Sequence, residues 1–139
     1  MWGQNKFKAK RINLAGRSFA SKNEANCYTM LKNMEAAGEI KDLKCQVSVY
    51  LTAAKILSKP DFKYFDVALN QEVWAEYKGF ETDVWRIKRR LWMFYGPGIL
   101  RVYKGSGDRI RLHEEITPKE LPLHEAAQSD QESDLQDLE

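Results

Sequence analysis

An acidic hairpin pattern in residues 64–78, YFDVALNQEVWAEYK, constrains this sequence more than any other feature. Two apolar runs, residues 64–69 and 73–78, flank a polar break at residues 70–72, which predicts two antiparallel strands joined by a turn. Strand side chains alternate between faces, so Glu76 and Lys78 share one face of the second strand. The hairpin therefore carries charged side chains where a sheet needs apolar ones.

The place of Asp66 in this hairpin depends on the pairing register. A turn with an odd number of residues puts Asp66 opposite Glu76 on the same face, whereas a two-residue turn separates them. No glycine in the break favours the tight turn. We therefore predict that Asp66, Glu76 and Lys78 converge. Such a set can bind a divalent metal ion and stabilise charge on a phosphoryl group.

The D-x9-E-x-K-G pattern that begins at Asp66 resembles the active-site motif of PD-(D/E)XK nucleases. For these residues alone, a solvated charged hairpin is the alternative interpretation. The dipeptide Pro60-Asp61 also spells the start of the motif, but Asp61 follows a proline ahead of the predicted strand. Because Asp66 has the hydrophobic strand setting, we assign the metal to Asp66 rather than to Asp61.

Residues 21–37 predict the first helix, which ends before Gly38. Its buried face is defined by apolar side chains at helical spacing: Cys27, Tyr28, Leu31 and Met34. Glu24 falls in the middle of that face. Ser21 and Glu24 have the spacing of a capping box, and a carboxylate in the first turn that faces the sheet can also reach a metal. The two roles are compatible.

Three further elements are predicted: a strand at residues 44–51, a second helix at residues 82–95 and a final strand at residues 99–104. The apolar stripe of the second helix consists of Val84, Ile87, Leu91, Phe94 and Tyr95, widened by Trp85 and Trp92. Lys88 lies at the edge of this face. Its ammonium group either escapes to water or meets a phosphate.

Charge divides the chain into two parts. Residues 1–112 hold 21 Lys and Arg against 11 Asp and Glu, whereas residues 113–139 hold one Lys against nine acids. A basic body indicates a nucleic-acid partner, and the arm at residues 1–20 contains a hairpin-like segment that turns at Ala15-Gly16. The candidate DNA contacts are Lys8, Lys10, Arg11, Arg17, Lys88 and Arg89.

Length and composition limit the other possibilities. The chain of 139 residues fits one domain at residues 1–112, which we predict to be a nuclease domain. An acidic tail follows at residues 113–139, and its composition is typical of disorder. No run of about 18 apolar residues predicts a membrane span. The start lacks a secretory signal, and Cys27 and Cys45 indicate neither a disulfide scaffold nor a zinc site. We expect a cytoplasmic protein, in the host cell if it is phage-encoded.

The order of predicted elements matches the αβββαβ core of the PD-(D/E)XK fold, an α/β architecture with a mixed central sheet flanked by helices. The resemblance is closest to small phage nucleases, in S-K-x-E-A from Ser21 and E-x-K-G-F-x-T-D-V from Glu76, and also to phage endonuclease I. It covers about residues 6–104.

This resemblance implies Mg²⁺-dependent hydrolysis of DNA phosphodiesters, with Mn²⁺ as a substitute, by a metal-bound water that leaves a 5′-phosphate. Asp66, Glu76 and Glu24 are the implied metal ligands, and Lys78 the implied catalytic cation. Branched DNA of the Holliday-junction type is the implied substrate, cleaved by a homodimer.

Two other functions remain open. One is a different nuclease on the same fold, of the restriction, transposition or end-processing type. The other is a non-catalytic nucleic-acid-binding protein, against which the acid pair argues, because carboxylates weaken DNA binding unless a metal neutralises them. The acidic tail either competes with DNA for the basic body, binds a protein partner or only aids solubility.

Overall fold

A computed structural model describes residues 11–119 of the chain. In chain order its elements are β1 (Ile12–Leu14), β2 (Arg17–Phe19), α1 (Lys22–Ala36), β3 (Ile40–Cys45), β4 (Val49–Tyr50), β5 (Leu57–Ser58), β6 (Phe62–Asp66), β7 (Gln71–Tyr77), α2 (Asp83–Tyr95), β8 (Ile99–Lys104), a 3₁₀ turn (Gly107–Arg109) and β9 (Arg111–Ile116). Both predicted helices and the strand at residues 99–104 are confirmed.

The central layer is a five-stranded mixed sheet in the order β3-β6-β7-β8-β9. β7 and β8 are parallel and are joined by α2, whereas the other neighbours are antiparallel. The pairs β1-β2 and β4-β5 form two small separate ribbons. The predicted α/β class is therefore confirmed, and the first ribbon turns at Ala15-Gly16 as expected.

The strand predicted at residues 44–51 is wrong in extent. The first strand of the central sheet is β3, which ends at Cys45, and only Val49 and Tyr50 of the later residues form a strand, in a different ribbon. Gln46 has a positive φ of 55°, outside the β region, and the pairing of β3 with β6 ends just before it, at Cys45 and Phe62. The alternation of apolar side chains across residues 44–51 thus spans a break in the backbone.

Helix α1 packs its predicted face onto the sheet. Ser21 caps its start, since the Ser21 hydroxyl accepts a hydrogen bond of 3.1 Å from the Glu24 backbone N–H. Gly38, with φ of 79°, follows the helix end. Buried against the sheet are Glu24, Ala25, Cys27, Tyr28 and Leu31. The predicted burial of this face, including the unusual burial of Glu24, is confirmed.

Helix α2 turns a different face to the sheet than its apolar stripe predicted. Trp85 and Trp92 are its buried residues, and the Trp92 ring packs edge-on to Trp74 of β7 with 5.8 Å between centroids. Val84 and Ile87 are 60% and 61% exposed. The two indoles lie seven residues apart on one side of the helix, and their large apolar area determines which side is buried.

The predicted register of the acidic hairpin is also wrong. The connection between β6 and β7 has four residues, 67–70, and pairs Asp66 with Gln71 and Phe62 with Ala75. The turn is stabilised locally, because the Asp66 carboxylate accepts a 2.9 Å hydrogen bond from the Leu69 N–H and Asn70 adopts a φ of 54°. An even-length connection puts Asp66 on the sheet face opposite to Glu76.

Asp66 instead belongs to a buried polar network on the α1 side of the sheet. Its carboxylate accepts a 2.8 Å hydrogen bond from Arg101, whose guanidinium also donates to the Tyr64 hydroxyl at 3.2 Å and to Glu115 at 3.1 Å. The Tyr64 and Tyr103 hydroxyls are 3.0 Å apart. Burial acts to raise the pKa of Asp66, but the Leu69 and Arg101 hydrogen bonds outweigh it and lower that pKa.

The boundary predicted at residue 112 falls inside a strand. β9 runs from Arg111 to Ile116 and pairs with β8, so residues 113–116 belong to the sheet rather than to the acidic tail. Glu114 on β9 forms an ion pair with Arg89 of α2. The tail beyond Lys119 and the arm before Arg11 lie outside the described residues. Within residues 11–119 no helix is long and apolar enough to cross a membrane.

We expect Asp66→Ala to lower the free energy of unfolding by roughly 1–4 kcal/mol, because it removes a carboxylate from a largely buried ion pair. Urea denaturation measures the change. Asp83→Ala is the matched control, since its pair with Arg86 is exposed and should contribute about 0.5 kcal/mol or less. Equal losses for the two variants would contradict a structural role for Asp66.

Candidate active site

A groove of about 830 Å³ opens where β6 begins, β7 ends and α1 starts. Charged side chains at the ends of these three elements meet in it, namely Glu24, Asp61, Glu76 and Lys78, together with Arg11 from the residue before β1. Three of the four predicted catalytic residues, Glu24, Glu76 and Lys78, are therefore brought together. The fourth, Asp66, lies at the far end of β6, and Asp61 occupies the place that was assigned to it.

Asp61 is held at the groove by backbone and side-chain contacts. It directly precedes β6, where Phe62 pairs with Ala75, so it lies beside Glu76. One Asp61 carboxylate oxygen accepts a 2.9 Å hydrogen bond from the Tyr77 N–H. Its carbonyl accepts a 2.8 Å bond from the Gln46 N–H. Burial raises the pKa of Asp61, against the lowering effect of the Tyr77 hydrogen bond and the Lys78 charge.

Glu24 reaches the groove from the first turn of α1. One oxygen of its carboxylate accepts a 3.3 Å hydrogen bond from the Gln46 amide. Burial, followed by the charge of Asp61, raises the pKa of Glu24 to about 7. Glu24 and Asp61 thus form an interacting pair of carboxyl groups: Asp61 raises the pKa of Glu24, whereas the hydrogen bond with Glu24 lowers the pKa of Asp61.

Glu76 and Lys78 lie on the same face of the chain as it leaves β7, as the strand alternation predicted. The Lys78 ammonium is 3.2 Å from a Glu76 carboxylate oxygen and 4.7 Å from the centroid of the Trp85 ring. Burial raises the pKa of Glu76 to about 7, since the neighbouring Lys78 charge offsets only part of the desolvation and the Asp61 charge adds to it.

Gln46 is a component of the site that the sequence did not reveal. Its amide nitrogen lies 3.3 Å from both Glu24 and Asp61, so it bridges the two carboxylates. The positive φ of Gln46 places it outside the β3 ladder. The alternation pattern had treated this position as strand interior, and no spacing in the sequence distinguished it. The signal for Asp61 was present in Pro60-Asp61 and was outweighed by the hydrophobic setting of Asp66.

The predicted DNA contacts divide into three groups. Arg11 lines the groove and donates a 3.0 Å hydrogen bond to the Ser18 hydroxyl, and Lys88 is half-buried close enough to Glu76 to lower its pKa in part. Arg17 and Arg89 already contact protein groups. The Arg17 guanidinium lies 6.0 Å from the centroid of the Tyr28 ring, and Arg89 pairs with a carboxylate of β9.

Lys8 and Lys10 precede the described residues, so their positions relative to the groove stay a prediction. Their chain leads directly into Arg11, which borders the site. The described part of the chain therefore begins at the groove.

The groove offers oxygen donors suited to a hard cation, from Glu24, Asp61 and Glu76. Within residues 11–119, however, no group of three or more His, Cys, Asp or Glu side chains has the arrangement of a metal site. Glu24 and Asp61 are the interacting pair, and Glu76 is oriented toward Lys78. Without a cation, this arrangement is an acid cluster that favours bound protons. The pKa values of Glu24 and Glu76, about 7, allow these groups to exchange protons near neutral pH.

We expect the protein to lose stability as pH rises from about 5 to 8 in the presence of a chelator. The folded pKa values of Glu24 and Glu76, about 7, exceed their ordinary value of 4.5, so the native state retains protons that the unfolded state has released. Stability is therefore higher below the unfolded pKa and is lost as pH rises through the folded pKa.

Urea denaturation at several pH values measures this profile, and Glu24→Gln should remove roughly 1–3 kcal/mol of the loss. Glu35→Gln is the control, because a hydrogen bond from Lys32 lowers the pKa of Glu35 and its contribution is lost only in acid. If the free energy of unfolding of Glu24→Gln falls with pH as steeply as that of wild type, Glu24 does not retain a proton near neutral pH.

Comparison with known proteins adds a family but no activity. No curated protein matches the chain. One family matches residues 4–104, a stretch that contains α1, β6, β7, α2 and the whole groove. Because this match spans more than half of the sequence, the chain belongs to the family described as "Protein of unknown function (DUF1064)".

Proposed function

We propose that this protein is a metal-dependent endodeoxyribonuclease with a PD-(D/E)XK active site made of Asp61, Glu76 and Lys78, completed by Glu24. The observation that carries the proposal is the meeting of these four side chains in one groove, with Asp61 bound to the Tyr77 N–H and Lys78 paired with Glu76. The motif then begins at Pro60-Asp61, the Pro-Asp pair of the PD-(D/E)XK pattern. It therefore matches that pattern more closely than a motif that begins at Asp66.

The order of elements around the groove supports the same proposal. The sequence α1, β3, β6, β7, α2, β8 is compatible with the αβββαβ core, with β9 added at the sheet edge. Glu24 comes from the first helix, Asp61 from the start of one strand, and Glu76 and Lys78 from the end of its neighbour. These are the elements on which PD-(D/E)XK nucleases keep their catalytic residues.

The residues present fit a divalent cation, Mg²⁺ or Mn²⁺. Glu24 and Asp61 repel one another in a partly desolvated groove, and burial raises the pKa of both carboxyl groups together with that of Glu76. A cation held by these oxygens would relieve the repulsion and favour the ionised forms. When bound, such an ion acts as a Lewis acid on the phosphate.

The remaining work falls to the chain's own residues. Lys78 supplies a positive charge beside Glu76, where it can donate to a phosphoryl oxygen or orient a water molecule. The Lys78 ammonium packs over the Trp85 ring, which restricts the conformations of the Lys78 side chain. Gln46 fixes the relative orientation of Glu24 and Asp61, and Arg11 adds positive charge at the rim for the phosphate backbone.

We propose branched DNA as the substrate and a homodimer as the active form. The support is the basic excess of residues 1–112 together with the presence of Arg11 at the groove, because the residues that precede it continue the basic arm. Two incisions across a four-way junction need two active sites. Residues 11–119 form one candidate active-site groove, so a second subunit would supply the other.

Asp61→Asn should lower cleavage by roughly 100-fold or more, since it removes one charge from the site. Asp66→Asn should cut close to the wild-type rate once its lower stability is taken into account. The measurement is Mg²⁺-dependent cleavage of a labelled DNA, well below the melting temperature of each variant and with circular dichroism to verify folding. Full activity of Asp61→Asn with loss in Asp66→Asn would overturn the assignment.

A synthetic four-way junction should be cut faster than a linear duplex of the same sequence, only with Mg²⁺ or Mn²⁺, and the protein should have a dimeric mass by light scattering. Glu76→Gln is the inactive control. Equal cleavage of junction and duplex by a monomer would exclude junction resolution but keep the nuclease. Metal-independent binding with no cleavage of any DNA would favour the non-catalytic alternative.

A further inference from the structure

A second, smaller cavity of about 150 Å³ borders the candidate active site. Glu76 and Lys78 line both this cavity and the catalytic groove, so the two spaces meet at the same pair of side chains. The other polar walls come from the segment before β6 and from α2: Ser58, Lys59, Thr82 and Lys88. We refer to this space as the lysine cavity.

The lysine cavity contains more positive charge than its surroundings neutralise. Lys59, Lys78 and Lys88 line it, against a single carboxylate, Glu76, which is already paired with Lys78. Within residues 11–119, Lys59 and Lys88 form no ion pair with an acid. The ammonium groups around the cavity repel one another because one carboxylate does not neutralise them all. An anion bound in the cavity would be attracted to each of them and would offset this repulsion.

Two neighbouring cations of α2 have acidic partners, unlike Lys88. Arg86 pairs with Asp83 at 2.9 Å, and Arg89 pairs with Glu114 on β9. Asp83 and Glu114 thus pair with these two arginines, whereas within residues 11–119 no acid forms an ion pair with Lys88. Lys88 therefore brings unpaired positive charge to the part of α2 that borders the candidate active site.

The size and donors of the lysine cavity fit one phosphate group. Its volume corresponds to about five water molecules at ~30 Å³ each, too little for a nucleoside. Ser58 is buried, and the Thr82 oxygen accepts from the Trp85 N–H at 3.0 Å, which leaves its hydroxyl proton free to donate. Ammonium and hydroxyl donors around a small space are suited to the tetrahedral oxygens of a phosphate.

We propose that the lysine cavity binds a phosphate group of the nucleic acid adjacent to the one that reacts at Glu76 and Lys78. The position of this phosphate next to a reacting one rests on the proposed nuclease function, whereas phosphate binding by the cavity does not. The group is either the next phosphodiester of a continuous strand or a terminal monophosphate. Both present the same anionic oxygens to Lys59 and Lys88.

The test compares Lys59→Gln, Lys88→Gln and the double variant with wild type in DNA-binding titrations by fluorescence anisotropy, in chelator and across a salt series. Each lost phosphate contact should reduce the slope of log affinity against log salt by about 0.7–0.9, and the double variant should lose about twice as much. Lys88→Arg keeps the charge and should keep the wild-type slope. Thermal melts verify that each variant is folded.

Lys41→Gln is the matched control, because it removes the same charge from the opposite end of the β3-β6 pair, where the Lys41 ammonium lies 4.7 Å from the Phe65 ring centroid. Its slope should equal that of wild type. Wild-type slopes in Lys59→Gln and Lys88→Gln, or an equal reduction in Lys41→Gln, would overturn the proposal.

Two further DNA ligands distinguish the sources of the phosphate. If the cavity holds an internal phosphodiester, Lys88→Gln should lose as much affinity for a circular single strand as for a linear one. If it holds a terminal monophosphate, wild type should prefer a 5′-phosphorylated over a 5′-hydroxyl oligonucleotide, and Lys88→Gln should lose that preference. Loss of affinity for neither ligand overturns the proposal.

Cleavage assays separate this proposal from the proposed function. Slopes reduced as expected in a protein that cuts no DNA with Mg²⁺ would support the phosphate site and reject the nuclease. Wild-type binding and cleavage by the double variant would reject the phosphate site and leave the nuclease in place.

Discussion

The pairing register of β6 and β7 determines which chemistry this protein can perform. Side chains of a strand alternate with a period of two, so a shift of one residue would exchange every charged group of the hairpin with the core. The four-residue turn after Asp66, with Asn70 in a left-handed conformation, fixes the register that puts Asp61 beside Glu76. A local turn thus selects the acid that enters the groove about one strand length away. Packing of α1 and α2 then preserves that choice.

Two apolar cores hold the sheet from opposite faces and allow it to carry acids at one end. On the α1 side, Tyr28 and Phe62 are stacked at 6.4 Å, and on the α2 side Trp74 packs against Trp92. Removing carboxylates from water costs free energy, which is the reason the pKa values of Glu24 and Glu76 are raised. Burial of apolar side chains in the two cores offsets this cost in the native state.

Much of this arrangement follows from the sequence because it depends on local periodicity. The spacing of apolar residues placed Glu24 on the buried face of α1, and strand alternation put Glu76 with Lys78. Other features depend on choices that are not local. Gln46 enters the site through a backbone conformation that its neighbours do not specify, and α2 buries Trp85 rather than Val84 because tertiary packing selects the larger apolar area. The predicted register of the hairpin was wrong for another reason. The turn length was inferred from the absence of glycine, whereas the Asp66 carboxylate itself stabilises a four-residue turn by accepting a hydrogen bond from the Leu69 N–H.

Asp61, just before β6, and Asp66, its last residue, show that a hydrophobic setting in sequence does not identify the acid that lies in the groove. Asp66 ends the strand in a buried network, where hydrogen bonds from Leu69 and Arg101 lower its pKa despite burial. Asp61 precedes the strand near Glu24, and burial raises its pKa. A carboxylate whose charge the protein already satisfies gains little from a cation and stabilises the fold. One whose charge the protein opposes binds a cation or a proton with a gain in free energy. The sign of the pKa shift, rather than the apolar neighbours in sequence, therefore separates Asp66, whose charge the fold satisfies, from Asp61, the cation ligand that we propose.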